Sequence, residues 1–244
     1  MPSPVKLYQA EMHKNLGFFA TWFPGDMMEI GDVGVIGEGR FRKLSSLKEL
    51  GIPFEVTPGV SKQNVQYTST KGTTITPSAG AAVPGVAKAE ISVNFSHAGA
   101  FVFHATGLSP RQIENRSVVA EAIVMAYKRN KWQQEWFLVE ALHTADLATI
   151  VVSEDSKAGL VLAATVEAPL IAISLADPKI SLSVTSVSGK IIHLVGAHEI
   201  HPLYSCLRLK DHFFSEPSVE PVRGIAARET NPLDRPGIEE LLNS

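Results

Sequence analysis

Three histidines, His193, His198 and His201, with Glu199 among them, gather imidazole and carboxylate groups of the kind that bind metal ions. The stretch reads as β-strand, and positions 198 and 201 of a strand project to opposite faces, so ordinary sheet histidines are expected. Gly31, Gly34, Gly37 and Gly39 suggest a phosphate-cradling loop. Neither G-x-G-x-x-G nor the Walker lysine pattern is present, and no helix pattern opens after Gly39, so the glycines fit a hairpin. Ser186-Val187-Ser188-Gly189 lacks the first glycine of a nucleophile elbow, and Gly189-Lys190 reads as a turn. Cys206 lies in an apolar run, the setting of a buried structural thiol. Asp26 and Asp32 flank a turn, and their spacing does not define a paired-acid site. The chain is therefore expected not to be an enzyme and to need neither cofactor nor metal, with the histidines as the best remnant of a catalytic alternative.

Two basic groups remain. Arg40, Arg42 and Lys43 lie beside the tip of the glycine-rich hairpin, and Lys128, Arg129 and Lys131 lie at the end of a helical pattern. Each is either a solvated charged face or a contact for anionic lipid headgroups, worth about 1 kcal/mol per basic side chain near such a surface.

The elements that must position these residues are mostly strands. Residues 5–16 fit a short helix, and Phe18 to Phe23 an apolar strand stopped by Pro24-Gly25. Residues 30–44 fit a hairpin with its tip near Glu38, followed by one helical turn capped by Ser45 or Ser46 and ended by Gly51. Residues 57–89, rich in Thr, Ser, Gly and Ala, read as a long loop. Ile91 to Phe95 and Phe101 to Ala105 read as two antiparallel strands. Ser109-Pro110 with Gln112 forms a capping-box pattern that predicts a helix from Ser109, with Ile113, Val119, Ile123, Ala126 and Tyr127 on one face. Strands are predicted at 136–142, 147–152, 160–166, 170–175, 180–184, 190–195 and 203–209. The expected fold is α+β, a single domain with a large twisted, mostly antiparallel β-sheet, a few helices and a short C-terminal docking segment.

At 244 residues and 45% hydrophobic, the chain can bury a substantial core, and a net charge of −3 supplies no global field for nucleic acid. The single cysteine and the absence of signal-peptide or lipidation patterns lead to the expectation of a cytoplasmic protein. The apolar run 158–176 is interrupted by Glu167 and Pro169, so two strands joined by a turn are expected there rather than a spanning helix. Charge is uneven: residues 211–244 hold seven acidic and three basic residues, a net −4, leaving +1 on the rest. Pro217, Pro221, Pro232 and Pro236 make this tail read as an extended arm. Its end regains helical spacing through Ile238, Leu241 and Leu242, an apolar hook suited to docking.

The order of elements resembles the pore-forming domain of the gasdermin family, most closely its compact bacterial and fungal members. The resemblance is carried by Phe18 to Phe23, by the hairpin ending in Arg40-Phe41-Arg42-Lys43, and by Ser46-Leu47-Lys48-Glu49-Leu50. The small-residue stretch before Ile91, the helix predicted from Ser109, and Trp136 to Leu142 leading into Leu147 to Val152 extend it over about 16–210. It implies a pore-forming domain over 1–210 and a short autoinhibitory tail over 211–244. It further implies an activating protease that removes the tail, then homo-oligomerisation and β-barrel pores, moving the protein from the cytoplasm to the cell's inner membrane. The outcome in such bacterial members is cell death in antiphage defence. On this view Arg40, Arg42, Lys43, Lys128, Arg129 and Lys131 contact lipid, Arg223 and Arg228 are cleavage candidates in the arm, and Ile238, Leu241 and Leu242 anchor the tail. Residues 64–76 with 89–106, and 146–153 with 158–166, would supply the two membrane-crossing hairpins. Bacterial members generally carry an acylated cysteine near the N-terminus, and this chain has none before Cys206. The alternative from another class is a β-rich ligand-binding or scaffold domain whose apolar strands are simply core.

Overall fold

The computed structural model describes residues 3–21, 28–37, 39–59, 61–79, 87–166, 175–210 and 217–221. Among the described residues two helices, α1 (Pro4–Leu16) and α2 (Arg116–Lys128), accompany thirteen strands. In chain order these are β1 (Phe19–Ala20), β2 (Asp32–Gly37), β3 (Arg40–Ser46), β4 (Val56–Thr57), β5 (Gln63–Thr68), β6 (Thr73–Ala79), β7 (Ala87–Phe95) and β8 (Phe101–Ile113). After α2 come β9 (Phe137–Ser153), β10 (Ala158–Val166), β11 (Ile180–Ser188), β12 (Ile191–Lys210) and β13 (Ser218–Pro221). The architecture is α+β and mostly antiparallel. No described helix is long and apolar enough to cross a membrane.

The chain divides into two compact units that alternate along the sequence. The first comprises Met1–Tyr8, Lys62–Leu108 and Ala145–Ile200, the second Gln9–Ser61, Ser109–Thr144 and His201–Ser244. In the first unit β5 pairs with β8, and a four-stranded antiparallel sheet runs β11-β10-β7-β6. In the second the order is β1-β12-β9-β2-β3, with β4 on β8 and β13 on β12.

In the second unit Val33, Leu47, Ile113, Val119, Ile123, Trp132 and Leu138 form one core and Phe19, Phe137, Val139, Tyr204 and Cys206 another. The hairpin β2–β3 forms where the glycines predict it, and the single turn after it is capped by Ser46, whose Oγ accepts the Glu49 N–H at 3.2 Å. Gly51 ends that turn at φ +70°, a left-handed conformation that a side chain would strain.

Four expectations are corrected. The helix does not start at Ser109: β8 continues to Ile113, and α2 begins at Arg116 after Asn115. Pro110 is tolerated because it falls between Leu108, the last residue paired with β5, and Gln112, the first paired with β4. Gln112 accepts the Arg116 Nη2–H at 2.8 Å instead of closing a capping box. The described part of 57–89 is largely β-structure rather than a loop: Val65 and Tyr67 alternate with polar residues in β5, and Ile75 lies among threonines in β6. The runs 136–142 and 147–152 fuse into β9, whose almost unbroken burial reflects covering on both faces. Likewise 190–195 and 203–209 belong to one strand, β12. Finally, β7 and β8 follow one another but lie in different sheets.

Candidate functional site

The feature with the clearest physical character is the four-stranded sheet of the first unit. Its strands are seven to nine residues long; β6, β7 and β11 alternate apolar and polar side chains, whereas β10 carries Gly159, Val161 and Ala163 on the face opposite Leu160 and Leu162. Cross-strand registry keeps the alternation aligned: Ile75 opposes Val93, Val93 opposes Leu160, and Ile91 opposes Leu162. Leu162 in turn opposes Val184, and Ala164 opposes Leu182. A bulge at Val161/Leu162 absorbs Thr185 and restores the register, so that Val187 still opposes Leu160. The inner face, with Ile91, Val93, Phe95, Leu160 and Leu162 buried, packs with Val102 of β8 and Val151 of β9 into one core.

The opposite face is hydroxyl-rich. Thr74 and Thr76 of β6 oppose Asn94 and Ser92 of β7, and Ser183, Ser186 and Ser188 of β11 oppose Ala163, Val161 and Gly159 of β10. Glu90 is its one ionisable residue among the described side chains. Surfaces kept in water commonly carry a quarter or more charged residues, and the described part of this face carries fewer.

The two expected crossing hairpins map only partly onto this sheet. Of 64–76 with 89–106, both ends pair as expected, β5 with β8 and β6 with β7, but the two pairs lie in different sheets and the run 89–106 breaks at the turn 96–100. Segment 146–153 belongs to β9, whereas 158–166 is β10, flanked by β7 and β11. The two continuous antiparallel pairs are thus β6–β7 and β10–β11. Strand β11 was underestimated because its second half, Thr185 to Ser188, carries too few apolar residues to extend the pattern past Val184.

The basic groups lie in the second unit. Arg40, Arg42 and Lys43 lie on β3, with Arg40 and Arg42 opposite Gly37 and Val35. Lys43 is engaged: its Nζ lies 2.6 Å from Asp32 Oδ1, and Asp32 is almost fully buried. The Asp32 carboxylate also accepts the Glu29 N–H at 3.0 Å, and it holds the Lys43 ammonium above its ordinary range, chiefly through their hydrogen bond. Leu44 is the extra residue of a bulge between Val33 and Gly34, which leaves its side chain exposed beside the bases. Lys128, Arg129 and Lys131 are exposed around the C-terminal end of α2, with Val118 and Met125 exposed on the helix itself. Arg223, Arg228, Ile238, Leu241 and Leu242 lie outside the described residues, as do Asp26 and all but Leu175 of the strand expected at 170–175. Of the tail, the described part is β13, paired with Leu207–Lys210 and fastened by Glu220 to Lys210 at 2.9 Å.

The residues weighed for catalysis are dispersed. Among the described residues no group of three His, Cys, Asp or Glu side chains is placed to hold a metal. His193 and His198 are exposed, while the His201 ring meets Thr144 Oγ1 at 3.0 Å. Cys206 is buried and its thiol is pushed well up, by desolvation first and by the Glu140 charge second. Among the buried polar residues that the sequence reading missed are His104, His143 and Glu140. His104 and His143 lie inside strands that read as apolar, and burial pushes each down to about 4. Glu140, on β9, meets Arg116 of α2 at 2.9 Å, and burial holds its carboxyl above the usual range. Isolated polar residues in apolar runs were the only signal.

No family model and no curated protein sequence matches the chain. Among solved structures it is similar to the Gasdermin A3 membrane pore determined by cryo-EM, with a TM-score of 0.39 and 10% identity. The match covers 93% of this chain and 98% of that one.

Proposed function

We propose that this chain is a latent pore-forming protein that acts without catalysis. The observation that carries the reading is the four-stranded sheet: two antiparallel pairs with one apolar face and one face bearing hydroxyls from β6, β7 and β11. A strand that crosses a bilayer needs about 9–11 residues with alternating lipid-facing and water-facing side chains, and β7, β10 and β11 have nine each. Because backbone groups cannot be left unpaired in hydrocarbon, such strands insert only as part of a closed barrel, which requires several copies of the chain. In this reading β6, β7, β10 and β11 are the crossing segments. Arg40, Arg42, Lys128, Arg129 and Lys131 supply the attraction to anionic headgroups.

The finer proposals follow from the tail. Its net −4 opposes approach to an anionic surface, and its Ile238, Leu241 and Leu242 hook covers apolar surface until a protease cuts after Arg223 or Arg228. Cleavage at either bond leaves β13 in place, so the fold survives activation. The protein then passes from the cytoplasm to the inner membrane and kills its own cell, as an antiphage response would need. Neither nucleic acid nor cofactor takes part.

The test is dye release from anionic liposomes, comparing intact chain with chain cut after Arg228 through an engineered site. Release only after cutting is expected. Cut protein that stays folded and releases nothing overturns the reading in favour of a ligand-binding domain. That second reading has its own support in the hydroxyl face, which suits a neutral polyhydroxylated ligand.

A further inference from the structure

Between β10 and β11 the chain must return from one strand to the next, and the foot of that return is held from outside its own sheet. Leu175 and Ala176, both buried, precede β11. The Leu175 N–H donates to His104 Nδ1 at 3.1 Å, and Thr106 Oγ1 donates to the Ala176 carbonyl. His104 and Thr106 are two apart on β8, so they share the face that also carries Val102 into the core beneath the four-stranded sheet. Two neighbouring side chains thus grip two successive backbone groups. Asp177 then completes the turn, accepting the Lys179 N–H on Oδ1 at 2.9 Å and the Ile180 N–H on its carbonyl at 3.0 Å.

We propose that His104 and Thr106 form a clasp that holds the return into β11 against β8, and that acid opens it. The meaning of opening, a freed β10–β11 pair, rests on the pore-forming reading above; the clasp itself does not. The argument is geometric first. Nδ1 accepts a hydrogen bond, so the ring proton sits on Nε2, and a second proton on Nδ1 would replace an acceptor by a donor facing the Leu175 N–H. The bond would be lost and a cation left in an apolar setting.

Among the described residues the surroundings offer that cation no relief. Gln66 lies opposite His104 on β5 and is uncharged, while Tyr67 turns to the other face against Phe101. The inner face of the four-stranded sheet presents Ala89, Ile91, Val93, Phe95, Leu160 and Leu162, none of which titrates. In the return, Asp177 Oδ1 is turned to the Lys179 backbone N–H, and on β9 Asp146 pairs with Lys62 at 2.7 Å. Burial alone accounts for the ring's depression to about 4, against 6.5 once it is free in water. The sign follows: the clasped state excludes a proton that the open state binds, so closure is strongest above pH 6.5 and weakens as pH falls toward 4. Between pH 7.5 and 5.5 the open-to-closed ratio rises about ten-fold.

Hydrogen exchange on the full chain tests this, reading the peptide that spans 175–180 at both pH values after correction for intrinsic exchange rates. The expected result is an opening about ten-fold larger at pH 5.5, and a change under about two-fold in His104→Asn, whose Oδ1 offers an acceptor that does not titrate. An unchanged wild type, or an equal rise in the variant, overturns the proposal. Should the variant not fold, NMR titration of the His104 ring in the wild type decides, and a ring titrating near 6.5 overturns it. Dye release by the cut chain at the two pH values separates the two claims. Equal release at both overturns regulation by the clasp, whereas an acid-opened clasp with no release at either pH leaves the clasp standing and removes the pore reading.

Discussion

Lys43 separates structural charge from surface charge, and the two roles have different signatures. Its ammonium lies 2.6 Å from a carboxylate that is 2% exposed, while Lys43 itself is 47% exposed. At an effective dielectric constant of about 20, opposite charges about 3 Å apart attract by roughly 5 kcal/mol. Water around the half-exposed ammonium and the cost of burying Asp32 cancel most of that, as measured hydrogen bonds to charged groups of about 1.5–3 kcal/mol indicate. Lys43→Ala should therefore lower stability by about 1–2 kcal/mol. Urea unfolding followed by tryptophan fluorescence measures the loss, and a double-mutant cycle with Asp32→Asn isolates the pair. The ammonium's pKa is raised, so this contribution is complete below the lysine's unperturbed value of 10.5 and fades only as pH rises through its folded value. Arg40→Glu with Arg42→Glu, on exposed positions of the same strand, should leave stability within about 1 kcal/mol and reduce binding of the cut chain to anionic liposomes. A coupling energy below about 0.3 kcal/mol would refute the reasoning, because a buried carboxylate that loses its cation without cost was never stabilised by it.

Other outcomes are expected. Gly34→Ala should destabilise by about 3 kcal/mol or more on thermal unfolding: a Cβ there would meet the Arg42 carbonyl, its carbon at 2.8 Å, and backbone at a bulge cannot step aside. Stability should fall as pH drops from 6.5 toward 4, by about 2 kcal/mol per pH unit near pH 5, because the unfolded chain protonates His104 and His143 while the folded chain does not. His201, depressed by burial and then by Arg111, adds in the same direction, and Glu140, whose carboxyl burial pushes up, opposes it. Urea titrations at pH 7 and pH 5 check the slope. Leu241→Asp with Leu242→Asp should convert the intact chain into one that releases dye without cutting; a folded variant that stays silent would remove the hook from the latch.

What was legible in the sequence was whatever one face of one element decides. The β2–β3 hairpin follows from its glycines, the Ser46 turn from a serine and Gly51, β7 from alternation at 91–95, and β10 from the apolar run 160–166. What was lost depended on partners far along the chain. Ser109-Pro110 with Gln112 is a sound local helix start, yet β4 claims Gln112 and Ile113 as strand, and tertiary pairing overrides the local preference. The break expected near residue 145 vanished because Ala145 is buried within β9. The charged group at Arg40, Arg42 and Lys43 was visible, but the neutralisation of Lys43 was not, since Asp32 meets it only through the hairpin register.

The energetics of the four-stranded sheet limit how it could work. Burying Ile91, Val93, Phe95, Leu160 and Leu162 is worth about 1.5–3 kcal/mol each, hence roughly 8–15 kcal/mol for the face. That is comparable to the whole stability of a typical domain, so the sheet cannot leave its core in water without unfolding the chain. A bilayer restores the term, because lipid tails accept the same side chains that Val102 and Val151 now cover. It does not restore hydrogen bonds to the free edges of β6 and β11, which lie at the two ends of the sheet. On the proposed pore-forming reading those edges need strands from neighbouring copies, and insertion and assembly are coupled. Dye release by cut chain should accordingly rise more steeply than linearly with protein concentration on the membrane. A strictly linear dependence would mean that single copies permeabilise the bilayer, which a sheet with two open edges cannot do.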